Sequence, residues 1–187
     1  MNNAKKVQLR RYFFDTEFND TVGNFRIDFI SIGVVDERGR DFYGISSEFN
    51  RAAANASPWL KTNVIDKLDP SFEMTIAEIR QGILDLIEPA HEVEFWAKNG
   101  SYDNVLLCQI FGGMGPLRET LKREKGIQKV IFRDTNELLR IAVKPDIKPM
   151  DETIKHIAIN DARNERYVFG QCYKAIAAQN RPQPDVL

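Results

Sequence analysis

The positions of the apolar side chains divide the chain into an extended first third and a helix-rich remainder. Residues Val7–Phe14 (VQLRRYFF), Ile27–Val35 (IDFISIGVV) and Asp41–Phe49 (DFYGISSEF) are rich in β-branched and aromatic residues, which predicts three strands. The polar link Asp36-Glu37-Arg38-Gly39-Arg40 joins the last two as a hairpin, so these strands run in antiparallel order. The spacing then changes. Ser57-Pro58 opens a helical turn, and Ile76, Ile79, Ile83, Leu84 and Ile87 recur at the helical period, predicting an amphipathic helix that stops near Pro89. Glu92–Ala97 (EVEFWA) reads as a fourth strand, Tyr102–Phe111 as a helix, Lys129–Arg133 as a short fifth strand and Thr135–Val143 as a helix ended by Pro145 and Pro149. Ile154, Ile157, Ala158, Ala162, Tyr167, Val168, Cys172 and Ile176 predict one long last helix from Asp151 to Ala178, followed by a polar tail over 179–187.

A hairpin meander followed by strands alternating with helices predicts an α/β domain, a mixed β-sheet flanked by helices. The 187 residues fit one domain, residues 1–178, at about 100 to 200 residues per domain. Hydrophobic residues make up 43% and include 12 Phe, enough to exclude general disorder. No window approaches the roughly 18 apolar residues of a membrane span, and Met1–Lys6 is followed by no apolar signal segment. The expectation is a cytoplasmic protein with no membrane partner. Cys108 and Cys172 are the only cysteines, lack C-x-x-C spacing and read as buried thiols.

Charge is balanced overall, with 26 basic against 27 acidic side chains. The balance hides one asymmetry: Leu117–Lys148 holds nine basic and five acidic residues, a net +4. Such a run is a solvated helical face, or a track for a polyanion if other residues point to one.

Four carboxylates are candidates for chemistry. Asp15 and Glu17, two apart at the end of the first strand, project to the same face. Like charges so placed repel unless a cation compensates them, so the pair is either a ligand set for a hard divalent metal or an exposed pair of strand-end acids. Asp103 follows the fourth strand near a helix start, where the helix dipole favours an acid. Asp161 lies five residues after His156, about 140° away on a continuous helix. The two share a face only if the backbone loosens before Ile157. The glycine-rich Phe111–Pro116 lacks the Gly-Lys-Ser/Thr of a P-loop and reads as a connecting loop, and His91 has no partner at zinc spacing.

Three segments, in order, are Asp15-Thr16-Glu17, Asn99-Gly100-Ser101-Tyr102-Asp103 and His156-Ile157-Ala158-Ile159-Asn160-Asp161-Ala162. Together the chain resembles the DEDDh, or DnaQ-like, 3′-to-5′ exonucleases, whose motifs are Asp-x-Glu, Asn-x-x-Phe/Tyr-Asp and His-x-Ala-x-x-Asp-Ala; the resemblance covers residues 10–178. The tracts Tyr12–Phe18, Ile30–Val35, Ser47-Glu48-Phe49 and Leu107-Cys108-Gln109 look like the polyadenylate-specific exoribonuclease AS type. Two positions depart from the family pattern. Phe18 stands where Thr is common, and Lys98 where a His often precedes the second motif.

The resemblance implies a ribonuclease H-like fold and a 3′-to-5′ exoribonuclease that releases nucleoside 5′-monophosphates from RNA 3′ ends. It implies two Mg²⁺ ions, with Mn²⁺ able to substitute, and in-line hydrolysis of the phosphodiester. Asp15 would bridge the ions, Glu17 and Asp161 would complete the water-activating site, Asp103 would hold the second ion and His156 would be the general base. An imidazole with an unperturbed pKa near 6.5 predicts activity rising through roughly pH 6 to 8. Phe18, Asn99 and Tyr102 would bind substrate, Phe18 by stacking on or wedging the terminal base. Lys122, Arg123 and Lys125, in the net-positive run, are the expected nucleic-acid track. A homodimer is also implied. Other readings of the same residues are a single-stranded DNA exonuclease, a non-catalytic nucleic-acid-binding module and a small-molecule phosphohydrolase.

Overall fold

A computed structural model describes residues 8–21 and 26–179. Among these, six strands form one mixed sheet: β1 (Leu9–Asn19), β2 (Asp28–Asp36), β3 (Asp41–Ser46), β4 (Glu73–Met74), β5 (Glu92–Ala97) and β6 (Lys129–Asp134). Their order is β4-β3-β2-β1-β5-β6. The β1–β2 and β2–β3 pairs are antiparallel, whereas β1–β5, β5–β6 and β3–β4 are parallel. This is the α/β architecture expected, consistent with a ribonuclease H-like exonuclease. Seven α-helices are described: α1 (Arg51–Ala56), α2 (Pro58–Asn63), α3 (Ile76–Leu86), α4 (Ser101–Ile110), α5 (Met114–Lys125), α6 (Thr135–Ile141) and α7 (Ala158–Gln179). None is long and apolar enough to cross a membrane.

Alternation along β1 splits the core into two layers. Tyr12 and Phe14 point to the face covered by α3, α4 and α5, where they pack with Ile79, Ile83, Leu107, Leu117 and Leu121. Phe13 points to the other face and meets α7, its ring 4.9 Å from that of Phe169. The same parity places Asp15 and Glu17 on the α7 side.

Two features of the central strands prepare the site. β5 accompanies β1 only from the Leu9–Glu92 pair to the Phe13–Trp96 pair, whereas β2 stays beside β1 as far as Asn19. Asp15–Asn19 therefore present one paired edge and one vacated edge. Across the paired edge, Asp15 stands opposite Gly33. A Cβ on Gly33 would fall 2.5 Å from the Ala158 carbonyl carbon and closer still to Ile159 N and Cα. The first turn of α7 thus rests on bare backbone of β2, beside Asp15.

Several expected boundaries move. β1 continues through Asp15 and Glu17 to Asn19, because hairpin pairing with β2 carries it on. β3 stops at Ser46, and α1 and β4 are additional short elements. α5 begins at Met114, so only Phe111–Gly113 of the glycine-rich stretch is a connection. The last helix does not start at Asp151. Asp151 instead caps a short 3₁₀ turn, Glu152–Ile154, by accepting from Thr153 N at 2.9 Å. His156 then takes a left-handed conformation, φ 60°, and α7 starts at Ala158. Val7 and residues 180–187 lie outside the described residues, while Gln179 belongs to α7.

Gly33→Ala is expected to cost about 1–3 kcal/mol, as overpacking does, because the opposing atoms are backbone. Gly170→Ala in α7, with no atom within 4 Å of the new Cβ, should stabilise by up to about 1 kcal/mol through helix propensity. Urea denaturation of both variants checks the pair; a Gly33→Ala protein as stable as the parent would contradict the close approach.

Candidate active site

The vacated edge of β1 is filled by a side chain. After β5 ends at Ala97 the chain turns through Asn99, left-handed at φ 53°, and α4 begins at Ser101. Asp103, in the first turn of α4, accepts from Thr16 N at 2.9 Å and from Thr16 Oγ at 2.6 Å through the same oxygen, Oδ1. The carboxylate thus replaces the neighbouring strand and fixes α4 to β1.

From the other face, α7 brings Asp161. Carboxylate oxygens of Asp15, Glu17 and Asp161 lie within 4.8 Å of one another. His156 reaches the same place because the backbone loosens before Ile157, the condition under which it and Asp161 can share a face. Asp15, Thr16, Glu17, Phe18, Lys98, Asn99, Tyr102, Asp103, His156 and Asp161 surround a single cavity of about 350 Å³. The three sequence motifs therefore converge, although 146 positions separate Asp15 from Asp161.

The electrostatics of the cluster are unfavourable without a cation. Glu17 is buried, and its pKa is pushed to about 8 by desolvation first, then by the charges of Asp161 and Asp103, with Lys67 opposing. Desolvation followed by Glu17, Asp103 and Asp161 raises Asp15 well above the carboxylate range. Burial also raises Asp103, against the two Thr16 hydrogen bonds, and Asp161, against the His156 main chain and imidazole. Asp161 Oδ2 is buried with no hydrogen-bond partner.

The remaining expected residues divide. The ring of Phe18 meets Tyr102 edge-on at 5.3 Å, and Tyr102 is half exposed at the rim. Asn99 Oδ1 accepts from Asn136 Nδ2 at 2.7 Å, which ties the β5–α4 turn to α6. Lys122, Arg123 and Lys125 are not brought to the cavity. They occupy the last turn of α5, which enters β6 at Lys129 opposite Glu92, the start of β5. The acidic cavity lies beyond the other end of β5, five residues on and about 17 Å away along the strand. Lys122 borders a separate cavity with Arg118 and Lys129, and Arg123 pairs with Glu124 at 2.9 Å. Elsewhere in the net-positive run, Arg133 and Lys129 lie against Glu94 and Glu92 within the sheet.

Lys98, marked in the sequence only as a departure from the family pattern, lines the cavity, and three further residues near the site were not singled out. Glu165, one helical turn beyond Asp161, is buried and pushed to about 7 by desolvation; its i, i+4 spacing from Asp161 was the available signal. Trp59 packs edge-on against His156 with ring centroids 5.0 Å apart. Lys67 donates to the Lys155 carbonyl at 2.7 Å. The last two come from a distant stretch of chain, and no local pattern marks them.

Residues 10–173 match the family described as the 3′-5′ exoribonuclease Rv2179c-like domain. The chain is 36% identical over 160 residues to the 3′-5′ exoribonuclease Rv2179c of Mycobacterium tuberculosis strain H37Rv. It has the same identity to the 3′-5′ exoribonuclease MT2234.1 of strain CDC 1551. Each alignment spans 83% of this chain and 88% of the relative.

The raised carboxyls fix the sign of a pH effect. Unfolded, Glu17 titrates near 4.5, and folded near 8. Between those values the folded chain keeps a proton that the unfolded chain has released, so stability falls as pH rises. Asp15, Asp103, Asp161 and Glu165 act in the same direction. The melting temperature of the metal-free protein is therefore expected to fall from about pH 5 towards pH 8, and Glu17→Gln should flatten that slope. A melting temperature that rises across this window would contradict the buried cluster.

Proposed function

Because the chain belongs to the Rv2179c-like 3′-5′ exoribonuclease family, a class of hydrolases, we propose that it shortens RNA from the 3′ end at the cavity between β1, α4 and α7. The observation that carries this reading is the convergence of Asp15, Glu17 and Asp161 to within 4.8 Å, with Asp103 and His156 on the same cavity. A DEDDh site would need these five side chains together, which supports the reading.

The donor set fits hard divalent cations. It offers oxygen ligands only, two of them on buried or half-buried strand positions, and it includes the unpartnered Oδ2 of Asp161. Asp15, Glu17, Asp161 and Asp103 would hold the ions, Mg²⁺ or Mn²⁺. A bound pair supplies positive charge that acidifies the attacking water and stabilises the leaving 3′-oxygen.

The chain's own groups perform the remaining tasks. His156, held beside Asp161, accepts the proton of the attacking water as general base. Asp103 spends one oxygen on Thr16 and keeps the other for the cavity, so its position is set before any ligand arrives. The Phe18–Tyr102 pair offers a rim of aromatic surface on which an unpaired base can stack. Lys98, in place of the commoner His, puts a cation beside the carboxylates where a substrate phosphate would lie.

The test is hydrolysis of 5′-labelled single-stranded RNA in Mg²⁺ or Mn²⁺, beside its DNA counterpart. A ladder shortening from the 3′ end is expected, abolished by EDTA. Asp15→Ala should lower the rate about a thousandfold or more, equivalent to about 4 kcal/mol of transition-state stabilisation. Binding without cleavage would overturn the reading, and cleavage of DNA alone would move it to a deoxyribonuclease.

Placement of the cations gives a second expectation. Lys98→Gln should weaken binding of a six-nucleotide RNA and reduce its log–log salt slope by about 0.7, the value of one phosphate contact on a single strand. Joint neutralisation of Lys122, Arg123 and Lys125, at the far end of β5, should leave that slope unchanged. The reverse pattern would restore the α5 track.

A further inference from the structure

His156 sits in a segment that has no regular structure of its own. Lys155–Ile157 lies between the 3₁₀ turn and α7, and His156 adopts φ 60°, a conformation unfavourable for a residue with a side chain. Such a conformation persists where surrounding contacts over-determine it. Two of those contacts come from one separate piece of the fold. Trp59, in α2, packs its ring against the imidazole at 5.0 Å and 75°, and Lys67 donates through Nζ to the carbonyl of Lys155, the preceding residue, at 2.7 Å.

The piece is rigidly mounted. Leu60 and Val64 are buried with Ile30, Ile45, Phe49 and Ala54, so α2 and the following 3₁₀ turn, Ile65–Lys67, are anchored to the sheet independently of α7. Trp59 itself is 54% exposed and adds little to that core. Its ring instead meets the imidazole of the site.

We propose that Trp59 and Lys67 form a clamp that holds the His156 segment over the carboxylates, Trp59 setting the direction of the imidazole and Lys67 the position of the preceding peptide. Trp59 is then a positioning residue that acts through His156. The proposal rests on the reading of His156 as the general base.

Trp59→Ala removes the clamp's ring without touching the core, Trp59→Phe keeps an aromatic edge, and Lys67→Met keeps the aliphatic stem but loses the donor. On single-stranded RNA with Mg²⁺, Trp59→Ala is expected to lower kcat roughly ten- to a hundredfold, the scale of a small misplacement of a reacting group, with KM changed by less than about threefold. Trp59→Phe should recover most of the loss. Hydrogen exchange of the backbone amides over 152–158 should speed up in Trp59→Ala and Lys67→Met. A raised KM with kcat unchanged would make Trp59 a base-stacking surface instead and overturn the clamp, as would unaltered exchange in both variants. His156→Ala, measured alongside, separates the two claims: parental turnover there removes the general-base reading, whereas a collapse there with Trp59→Ala unaffected removes only the clamp.

Discussion

The site depends on a backbone-to-backbone contact: the first turn of α7 lying on β2 at Gly33. Any side chain at that position would hold Ile159 and Ala158 away from the sheet, and Asp161, one turn on, would move with them. Gly33 pairs directly with Asp15, so the missing side chain acts where the acidic cluster must close. The opposite side of β1 obeys a complementary rule. There β5 leaves the ladder after Phe13–Trp96, and Asp103 satisfies the amide of Thr16 that a longer strand would have paired. One strand is thus approached by a helix terminus from each side.

Holding carboxylates at this junction is costly. Burial leaves their charges poorly solvated, and at Asp15 and Glu17 repulsion adds to it, which is why Asp15, Glu17, Asp103 and Asp161 all titrate above their ordinary range. The fold offsets the cost with packing just behind the cluster. Phe13, two residues before Asp15, contacts Phe169, which also meets Trp96 at 4.9 Å, so β1, β5 and α7 are locked by one aromatic group. Cations in the cavity would remove the repulsion while the aromatic group holds the ligands in place. The same carboxylates that would hold the cations therefore destabilise the metal-free protein.

Much of this was legible in the sequence because the strongest signals were local. The apolar period marked Ile76–Leu86, and β-branched and aromatic runs marked β2, β5 and β6 to within a residue or two. The three motifs named most residues of the cavity: the first lies within β1 beyond its pairing with β5, the second where β5 passes into α4 and the third where α7 begins. The longer-range features were not legible. The start of α7 was misplaced by seven residues because apolar spacing continues through Ile154 and Ile157, while the contacts of the left-handed His156 segment, Trp59 to His156 and Lys67 to the Lys155 carbonyl, come from another part of the chain. The path of the basic run over 117–148 was likewise not legible. Folding pairs Lys129 and Arg133 within the sheet and carries Lys122, Arg123 and Lys125 to its opposite end.

The central claim is that Asp161, brought in by α7, completes a cation site with Asp15 and Glu17. The most direct test is the number of Mn²⁺ ions bound per chain, read from the electron paramagnetic resonance of free Mn²⁺ during titration at pH 8. The account predicts saturable binding by the parent protein that is lost or strongly weakened in Asp161→Asn, with the circular dichroism spectrum unchanged. Equal binding by the two proteins would contradict it.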